Sequence, residues 1–296
     1  MSTIYRLYFF ISFFLLTTFY SDPVMAQEKQ LLKLPGLKEP VEVLRDKWGI
    51  NHIYANNQYD LFFTQGYSAA KDRLFQFEIW RRQATGTVAE ILGSQELKRD
   101  IGTRLFLFRG DMKKELNHYH PQGEAIIRAY VDGINACIEE ALNNPNLLPM
   151  EFKALNIKPG KWTPEVVISR HQGLLGNIEE ELVIGRAVAK AGAEKVSDLM
   201  WFHPKQPNIK LDSSITPEML SENILELYTA SHSSVTFRRN NSPATTYHQN
   251  PLPLEYGLEG SNNWIVSGKK TESGYPLMAN DPHRSIALPS LRYMVH

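Results

Sequence analysis

The sequence has 296 residues with 32 basic and 32 acidic side chains, so its formal net charge is zero. This balance argues against a nucleic-acid or anionic-membrane partner, which would favour a clustered excess of positive charge. The hydrophobic fraction of 43% is ordinary for a globular protein, and a single cysteine excludes an intramolecular disulfide.

The first 26 residues have the pattern of a secretory signal peptide. Arg6 supplies a positive charge, residues 7–20 are mostly apolar, and Val24-Met25-Ala26 provides small or apolar residues at a peptidase site. A membrane anchor is the alternative, but this apolar run is shorter than the ~20 residues that span a bilayer. We therefore predict cleavage after Ala26, a periplasmic or secreted location, and no membrane contact once the signal is removed.

Two strands and a long helix are predicted next. Residues 41–46 alternate like a strand, a turn follows at Lys47-Trp48-Gly49, and residues 50–55 return. Asp60 is the candidate N-cap of a helix over residues 61–83.

Polar residues in this region are expected to be structural. His52 is predicted to be a hydrogen-bonded structural histidine, and Asp72 and Arg73 are predicted to anchor a buried or interface ion pair. Ser68 lies in a Gly-Tyr-Ser-Ala-Ala string, but a nucleophile elbow needs a strand before the turn and the pattern here is helical. We therefore expect Ser68 to be a packing residue.

Three further helices are predicted, over residues 122–143, 166–190 and 217–230. In the first, apolar residues recur every three or four positions, and Cys137 on that face is expected to be buried. The second contains the run Glu179-Glu180-Glu181, and a run of like charges is usually a solvated surface.

A polar, proline-broken stretch over residues 231–256 ends just before Gly260-Ser261 and should be accessible to proteases. A strand is then predicted over residues 263–267, a hairpin loop over 269–275 and a returning strand over 276–279. Residues 288–296 are expected to begin a further strand.

Cleavage of the Gly260-Ser261 bond would make Ser261 a new N-terminus. That residue would carry a hydroxyl nucleophile and an α-amine whose pKa is near 7.7–8.0, close to the optimum for a general base at neutral pH. One residue could then supply both nucleophile and base, as in hydrolases with an N-terminal nucleophile.

The string from Ser261 to His283 closely resembles the start of the catalytic subunit in the penicillin acylase (penicillin amidase) family. The family pattern is Ser-Asn-Asn-Trp, two apolar residues and Ser-Gly, then a glycine-containing turn, then Leu, an apolar residue and Ala-Asn-Asp-Pro-His. The match covers some 23 residues without a gap. Residues 41–55, residues 66–77 and Trp162-Thr163-Pro164 resemble further motifs of the family.

The resemblance implies an α+β fold, the four-layer αββα sandwich of N-terminal nucleophile hydrolases, whose small-subunit part is mostly α-helical. It implies a truncated precursor with a signal peptide at 1–26 and a small (alpha) subunit at 27–235. An excised spacer follows at 236–260, and 261–296 opens the large (beta) catalytic subunit. The processed protein would be a heterodimer of the small and large subunits.

The resemblance also assigns roles to individual residues. Ser261 is the expected nucleophile, and Gly260-Ser261 is the bond that the protein cleaves in itself. His283 falls where the family places a histidine that orients the serine, with a plain turn histidine as the alternative. Leu174 and Leu175 are candidates for the lining of the acyl pocket.

A structural calcium ion is also implied. The family places a glutamate that reaches calcium at the position of Glu181, with Glu180 as the fallback, and carboxylate oxygens suit this hard cation. No organic cofactor is expected.

The implied function is a secreted, self-processing amidohydrolase acting on N-acylated small molecules, with penicillin-type side chains or similar acyl groups. An acyl-homoserine lactone acylase of the same family is one alternative, and an unprocessed, non-enzymatic binding protein is another. A conventional Ser-His-Asp hydrolase is a third, although the sequence contains no Gly-x-Ser-x-Gly. The 296 residues alone are expected to be inactive.

Overall fold

The computed structural model describes residues 31–169, 178–200, 208–237, 261–282, 290 and 292–296. The chain divides into two compact units, Met1–Pro35 and Gly36–His296. In the first unit, residues 31–35 form no helix or strand. Every element below belongs to the second unit.

The described elements follow one another along the chain as two strands, a series of helices and a final hairpin. Their bounds are β1 Glu42–Arg45, β2 Asn51–Tyr54, α1 Gln58–Thr85, α2 Ala89–Leu92, α3 Leu97–Leu105, α4 Met112–Leu116, α5 Gly123–Asn143, α6 Met150–Ala154, α7 Pro164–Ser169, α8 Ile178–Ala191, α9 Ala193–Leu199, α10 Pro217–Ser221, α11 Glu226–His232, β3 Ser261–Val266 and β4 Leu277–Pro282.

The predicted pair of N-terminal strands is confirmed. β1 and β2 are antiparallel, with Glu42 opposite Tyr54 and Arg45 opposite Asn51. The turn between them is closed by Asp46, whose carboxylate accepts the backbone N–H groups of residues 48 and 50 at 2.9 Å. These bonds, with that from Ile50 the strongest, lower the pKa of Asp46.

Helix α1 begins earlier than predicted, and the predicted N-cap is wrong. The cap is Asn57, whose side chain accepts the backbone N–H of Asp60 at 2.9 Å. Asp60 lies inside the first turn, and its buried carboxylate instead accepts the backbone N–H groups of Lys38 and Glu39, both at 2.9 Å. Burial opposes ionisation of Asp60, but these donors outweigh it and lower its pKa. Asp60 therefore ties the segment before β1 to the start of α1.

Helices α1 and α5 cross with their backbones in contact. A Cβ atom on Gly133 would lie 1.9 Å from the carbonyl oxygen of Phe63, and one on Gly66 would lie 2.0 Å from that of Tyr130. Around this crossing lies the apolar core, which includes Phe63, Tyr67, Ala69, Ala70, Ala129, Ile134 and Ile138. The hydroxyl group of Tyr67 donates to Glu140 at 2.6 Å across the two helices.

The predicted helix over 122–143 and the buried position of Cys137 are confirmed. Helix α5 spans Gly123–Asn143, and Cys137 on its inner face is 5% exposed. Burial, assisted by the negative charge of Glu140, raises the pKa of Cys137 to about 12. A thiol with this pKa is almost entirely protonated at neutral pH, so it behaves as a small apolar residue.

A buried carboxylate organises the second half of α1. Glu78 accepts hydrogen bonds from Arg81 at 2.8 and 3.0 Å and from Arg82 at 2.7 Å. It also accepts the backbone N–H of Gly160 at 2.9 Å. The negative charge is thus paired within the helix and also holds the loop before α7.

One predicted helix differs from the structure, and another is described only in part. The stretch over 217–230 is not one helix: α10 ends at Ser221, residue Glu222 is extended with φ −68° and ψ 156°, and α11 begins at Glu226. In the stretch over 166–190, residues 166–169 of α7 and 178–190 of α8 are helical as predicted, and residues 170–177 lie outside the described residues. Among the described helices, none is long and apolar enough to cross a bilayer.

We predict that Gly133→Ala lowers the free energy of unfolding by about 2–3 kcal/mol, because the added methyl group forces α1 and α5 apart. Thermal and urea unfolding of the purified protein measure this loss. Gly185→Ala in α8 is the matched control, since its Cβ would make only ordinary contacts, 3.6 Å or more away. It should be neutral or slightly stabilising. Equal losses in the two variants would contradict the close crossing.

We predict that Cys137 resists a thiol-specific reagent at pH 8 in the folded protein. At a pKa of about 12, roughly one thiol in ten thousand is ionised at this pH, and the chain also blocks access. Mass spectrometry should show labelling only after denaturant is added. Ser267→Cys, at an exposed turn position, provides a reactive control in the same protein. Rapid labelling of native wild type would refute the prediction.

Candidate active site

The predicted hairpin after Gly260 is present, and Ser261 is the first residue of its first strand. β3 pairs with β4 in antiparallel register, which places Ser261 opposite Pro282, Asn263 opposite Asn280 and Trp264 opposite Ala279. The backbone of Ser261 therefore lies beside the residue that directly precedes His283 in the chain. A new N-terminus at residue 261 would be held by strand pairing.

A tight turn fixes this register. The hydroxyl group of Thr271 donates to the carbonyl oxygens of Gly268 at 3.1 Å and Tyr275 at 2.7 Å. Gly274 adopts φ +75°, and a Cβ atom on Gly268 would lie 2.2 Å from the carbonyl oxygen of Gly274. A slip of one residue would turn every side chain of a strand to the other face, so this turn determines which residue stands opposite Ser261.

Both faces of the hairpin carry exposed apolar side chains. Residues opposite each other share a face, so Trp264 and Ala279 lie on one face, and Ile265 and Met278 lie on the other. Trp264 is 55% exposed, and Ile265 and Met278 are each 70% exposed. Apolar side chains on both faces are typical of strands covered on both sides.

The segment near residue 296 is not the predicted strand. Val295 forms an isolated parallel bridge with Asn51 of β2. The backbone N–H of Ile53 donates to the carbonyl oxygen of His296 at 2.7 Å, and the N–H of His296 donates to that of Asn51 at 3.0 Å. Two backbone bonds join these residues to the edge of β2, which is too few to form a regular strand.

Asp72 lies where α1 faces this segment. One of its carboxylate oxygens pairs with Arg45 at 2.8 Å, and the other accepts the hydroxyl group of Tyr293 at 2.7 Å. The side-chain amide of Asn51 donates to the same hydroxyl oxygen at 2.7 Å. Burial, followed by the bond to Asp72, raises the pKa of Tyr293. Asp72 thus forms an ion pair, as predicted, but the pair is not buried, because the Arg45 side chain is 54% exposed.

Arg73 contacts the same segment through its guanidinium group but pairs with backbone oxygens. It donates to the carbonyl oxygens of Ser290 at 2.5 Å and Arg292 at 3.1 Å, and it lies 5.1 Å from the ring centre of Tyr293. Its own backbone leaves the helical conformation, with φ −142° and ψ 35°, so α1 is kinked at this residue. Among the described residues, Arg73 thus pairs with backbone carbonyl oxygens and not with a carboxylate, so the ion pair predicted for it is not found.

The structural role predicted for His52 is also confirmed. One ring nitrogen lies 3.4 Å from the carboxylate of Asp46, and the other lies 3.1 Å from a ring nitrogen of His296.

Several predicted site residues lie outside the described residues, namely Gly260, His283, Leu174 and Leu175. Their roles stay predictions, as do the signal peptide at 1–26 and residues 238–260 of the spacer. Glu181 lies in α8 and is exposed, as is Glu180. The described residues contain no cluster of three or more His, Cys, Asp or Glu side chains that could hold a metal ion. They therefore offer Glu181 as a single carboxylate and not a complete calcium site.

Comparison with known proteins decides the family. The sequence model of the Penicillin amidase family matches residues 40–296. The chain belongs to the penicillin amidase family. The Ser261 hairpin, the Asp72–Arg73 region and the β1–β2 pair all lie within the matched residues.

Curated relatives agree with this assignment. The penicillin acylase 2 proenzyme of Pseudomonas sp. (strain SE83) is 31% identical over 268 residues, which is 90% of this chain and 33% of the relative. The penicillin G acylase of Escherichia coli is 37% identical over 149 residues, 49% of this chain and 18% of the relative. The acyl-homoserine lactone acylase QuiP of Pseudomonas aeruginosa is 27% identical over 264 residues, 87% of this chain and 29% of the relative.

The chain thus spans a third or less of these relatives. Among solved structures, a thermostable penicillin G acylase from Alcaligenes faecalis is similar. The alignment covers 60% of this chain and 98% of the chain in that structure. Its sequence identity is 28% and its TM-score is 0.48.

The contacts of Tyr293 were missed by sequence reasoning. Asn51 and Asp72 stand 242 and 221 positions away from Tyr293 in the chain, and no local pattern joins such distant residues. The one available signal was the run of charged residues Lys71-Asp72-Arg73, which stands between Ala70 and Leu74 in the helix.

Proposed function

We propose that this chain is the N-terminal part of a secreted, self-processing amidohydrolase whose nucleophile is Ser261. The observation that carries the proposal is the position of Ser261 as the first residue of β3, inside a hairpin whose sequence matches the family motif throughout. The processed protein would be a heterodimer of a small subunit, residues 27–235, and a large subunit that begins at Ser261.

Self-cleavage would proceed through Ser261. Its hydroxyl oxygen attacks the carbonyl carbon of Gly260, the acyl group moves from nitrogen to oxygen, and water hydrolyses the resulting ester. Glycine at position 260 favours this step because the absence of a Cβ atom lets the backbone twist and expose its carbonyl group. The pairing of β3 with β4 would keep the new N-terminus in place after the bond breaks.

In the mature enzyme the α-amine of Ser261, acting through a bridging water, would take the proton from the hydroxyl group. The oxygen then attacks the substrate amide, the amine leaves, and water hydrolyses the acyl-enzyme ester. Donors to the tetrahedral oxyanion, each worth on the order of 10²–10³ in rate, are proposed to lie in the large subunit after residue 296. His283, next to the strand partner of Ser261, is proposed to orient the nucleophile.

We propose N-acylated small molecules with penicillin-type side chains as the substrates, since two of the relatives above are named for penicillin acylase activity. An acyl-homoserine lactone is the second candidate, favoured by the QuiP match over 87% of the chain. Leu174 and Leu175 are proposed to line the acyl pocket. The apolar residues on both faces of the hairpin support the four-layer αββα arrangement, in which sheets are covered on both sides.

We predict that Ser261→Ala abolishes both cleavage and amide hydrolysis, because the variant lacks the attacking oxygen. The complete reading frame is expressed, and the products are examined on a denaturing gel with N-terminal sequencing and an acyl-amide substrate panel. Wild type should give two chains, the larger beginning Ser-Asn-Asn-Trp.

Ser267→Ala, an exposed serine in the same hairpin, is the matched control and should be cut and active. A single uncut wild-type chain would favour the non-enzymatic binding protein. Activity that survives acetylation of the new amino terminus would favour a Ser-His-Asp hydrolase.

We predict that Glu181→Gln reduces the stabilisation that calcium gives to the processed protein. Wild type should lose several degrees of melting temperature when a chelator removes calcium, because an ion that binds only the folded state stabilises it. The loss should be smaller in Glu181→Gln, while Glu180→Gln should behave as wild type. The reverse pattern would assign the ligand to Glu180, and no response to chelator in wild type would contradict the calcium site.

A further inference from the structure

A set of contacts joins the two sides of the proposed cleavage site. Asn51, Asp72 and Arg73 lie before the cut, and Tyr293 lies after it, together with the backbone of residues 290 and 292–296 that they contact. We call these four side chains and that backbone the interchain clamp. All of its contacts are non-covalent, and they would pass between two separate chains once the Gly260-Ser261 bond is cut.

We propose that the interchain clamp is a docking surface that retains the large subunit on the small subunit after cleavage. The partner is a segment of the same protein, described at residues 290 and 292–296, which contacts the edge of β2 and the kink of α1. This inference rests on the proposed function, because one uncut chain has no two parts to hold together.

The centre of the clamp is the hydroxyl group of Tyr293. It donates to Asp72 and accepts from Asn51, each at 2.7 Å, so both of its hydrogen-bonding functions are used. Asn51 is 4% exposed, which leaves water little access to its amide. Hydrogen bonds to a charged carboxylate are stronger than neutral ones, and an unpaired partner in such a place is costly.

Arg45 completes the charge balance of this centre. It pairs with the second carboxylate oxygen of Asp72 at 2.8 Å, so the negative charge that accepts from Tyr293 has a positive neighbour on its own side of the cut. On the small-subunit side, Asp72 is therefore a charged acceptor that Arg45 already neutralises. The hydroxyl group of Tyr293, on the large-subunit side, is the donor.

Arg73 holds the backbone that leads to Tyr293. Its guanidinium group donates to two carbonyl oxygens of the partner segment, those of Ser290 and Arg292. The forked geometry of an arginine suits two acceptors, whereas a lysine is a point charge. The kink of α1 at this residue marks the place where the helix departs from regular geometry to meet the segment.

The edge of β2 adds main-chain bonds to these side-chain contacts. Ile53 and Asn51 exchange backbone hydrogen bonds with His296, and Val295 lies beside Asn51 in parallel orientation. Addition of an extended segment to a strand edge is a common way to bind a peptide, in which the main chain provides affinity and the side chains provide specificity. Tyr293 and Arg73 would provide the specificity here.

The test uses the complete reading frame with Tyr293→Phe, Asp72→Asn and the double variant. Denaturing gels first establish that each protein has been cut into two chains. Separation of the chains is then followed over time by size-exclusion chromatography in a fixed, sub-denaturing concentration of urea. Asp72→Asn should dissociate about tenfold faster than wild type, as expected for loss of one charge-assisted hydrogen bond. Tyr293→Phe should dissociate at least as fast, because it also loses the bond from Asn51. The double variant should be no faster than the more affected single variant, because both changes remove the same bond.

Two further variants make the outcome unambiguous. Tyr119→Phe, at a tyrosine that is 85% exposed, is the matched control and should dissociate at the wild-type rate. Arg73→Lys keeps the charge but loses one of two carbonyl contacts, and it should also accelerate dissociation. If Tyr293→Phe is not cut into two chains, Arg73→Lys and Asp72→Asn still test the clamp.

The clamp and the proposed function fail in different ways. If Tyr293→Phe, Asp72→Asn and Arg73→Lys are each cut into two chains that dissociate at the wild-type rate, the clamp is wrong. The proposed function would be unaffected by that result. Additive effects in the double variant would overturn the direct Asp72–Tyr293 bond. A wild-type protein that stays in one chain would contradict the proposed function. It would also contradict the proposal that the clamp holds two chains together.

Discussion

The backbone contact between α1 and α5 is the constraint on which the other features of this structure depend. Gly66 and Gly133 leave no side chain between the two helices, so the position of α1 is narrowly defined. Helix α1 then holds three separate segments along its length. Asp60 binds the segment before β1, Arg73 binds residues 290 and 292, and Glu78 binds the loop at residue 160. A shift of α1 would disturb all three together.

The charged residues of α1 have two different roles. Glu78 is almost fully buried, and its partners Arg81 and Arg82 come from its own helix. Such a group contributes little net stability, but it is costly to leave unpaired, so it specifies one arrangement of the helix end. Asp72 and Arg73 are bound instead by a segment more than 200 positions later in the chain. Arg81 and Arg82 fix the helix internally, whereas Asp72 and Arg73 connect it to residues 290, 292 and 293.

Local patterns predicted the elements that depend on local interactions. The alternation of residues 41–55, the periodicity of residues 122–143 and the hairpin loop predicted over 269–275 identified β1–β2, α5 and β3–β4. The predicted N-cap was wrong because the carboxylate of Asp60 accepts the backbone N–H of Lys38. The predicted single helix over 217–230 was wrong because the backbone of Glu222 is extended. The contacts of Tyr293 depend on tertiary packing alone. The roles of Ser261, Leu174, Leu175 and His283 all rest on the resemblance to the family and stay predictions.

The sequence separation within the interchain clamp has a consequence for refolding. Asn51 and Tyr293 are 242 positions apart, so forming their contact closes a very long loop at a large cost in chain entropy. In an uncut chain the two ends remain tethered, which corresponds to an effective concentration that can approach the millimolar range. If the proposed cut takes place, that tether is gone and reassembly becomes bimolecular. The mature protein would then persist because it unfolds slowly, and material denatured in dilute solution would not recover.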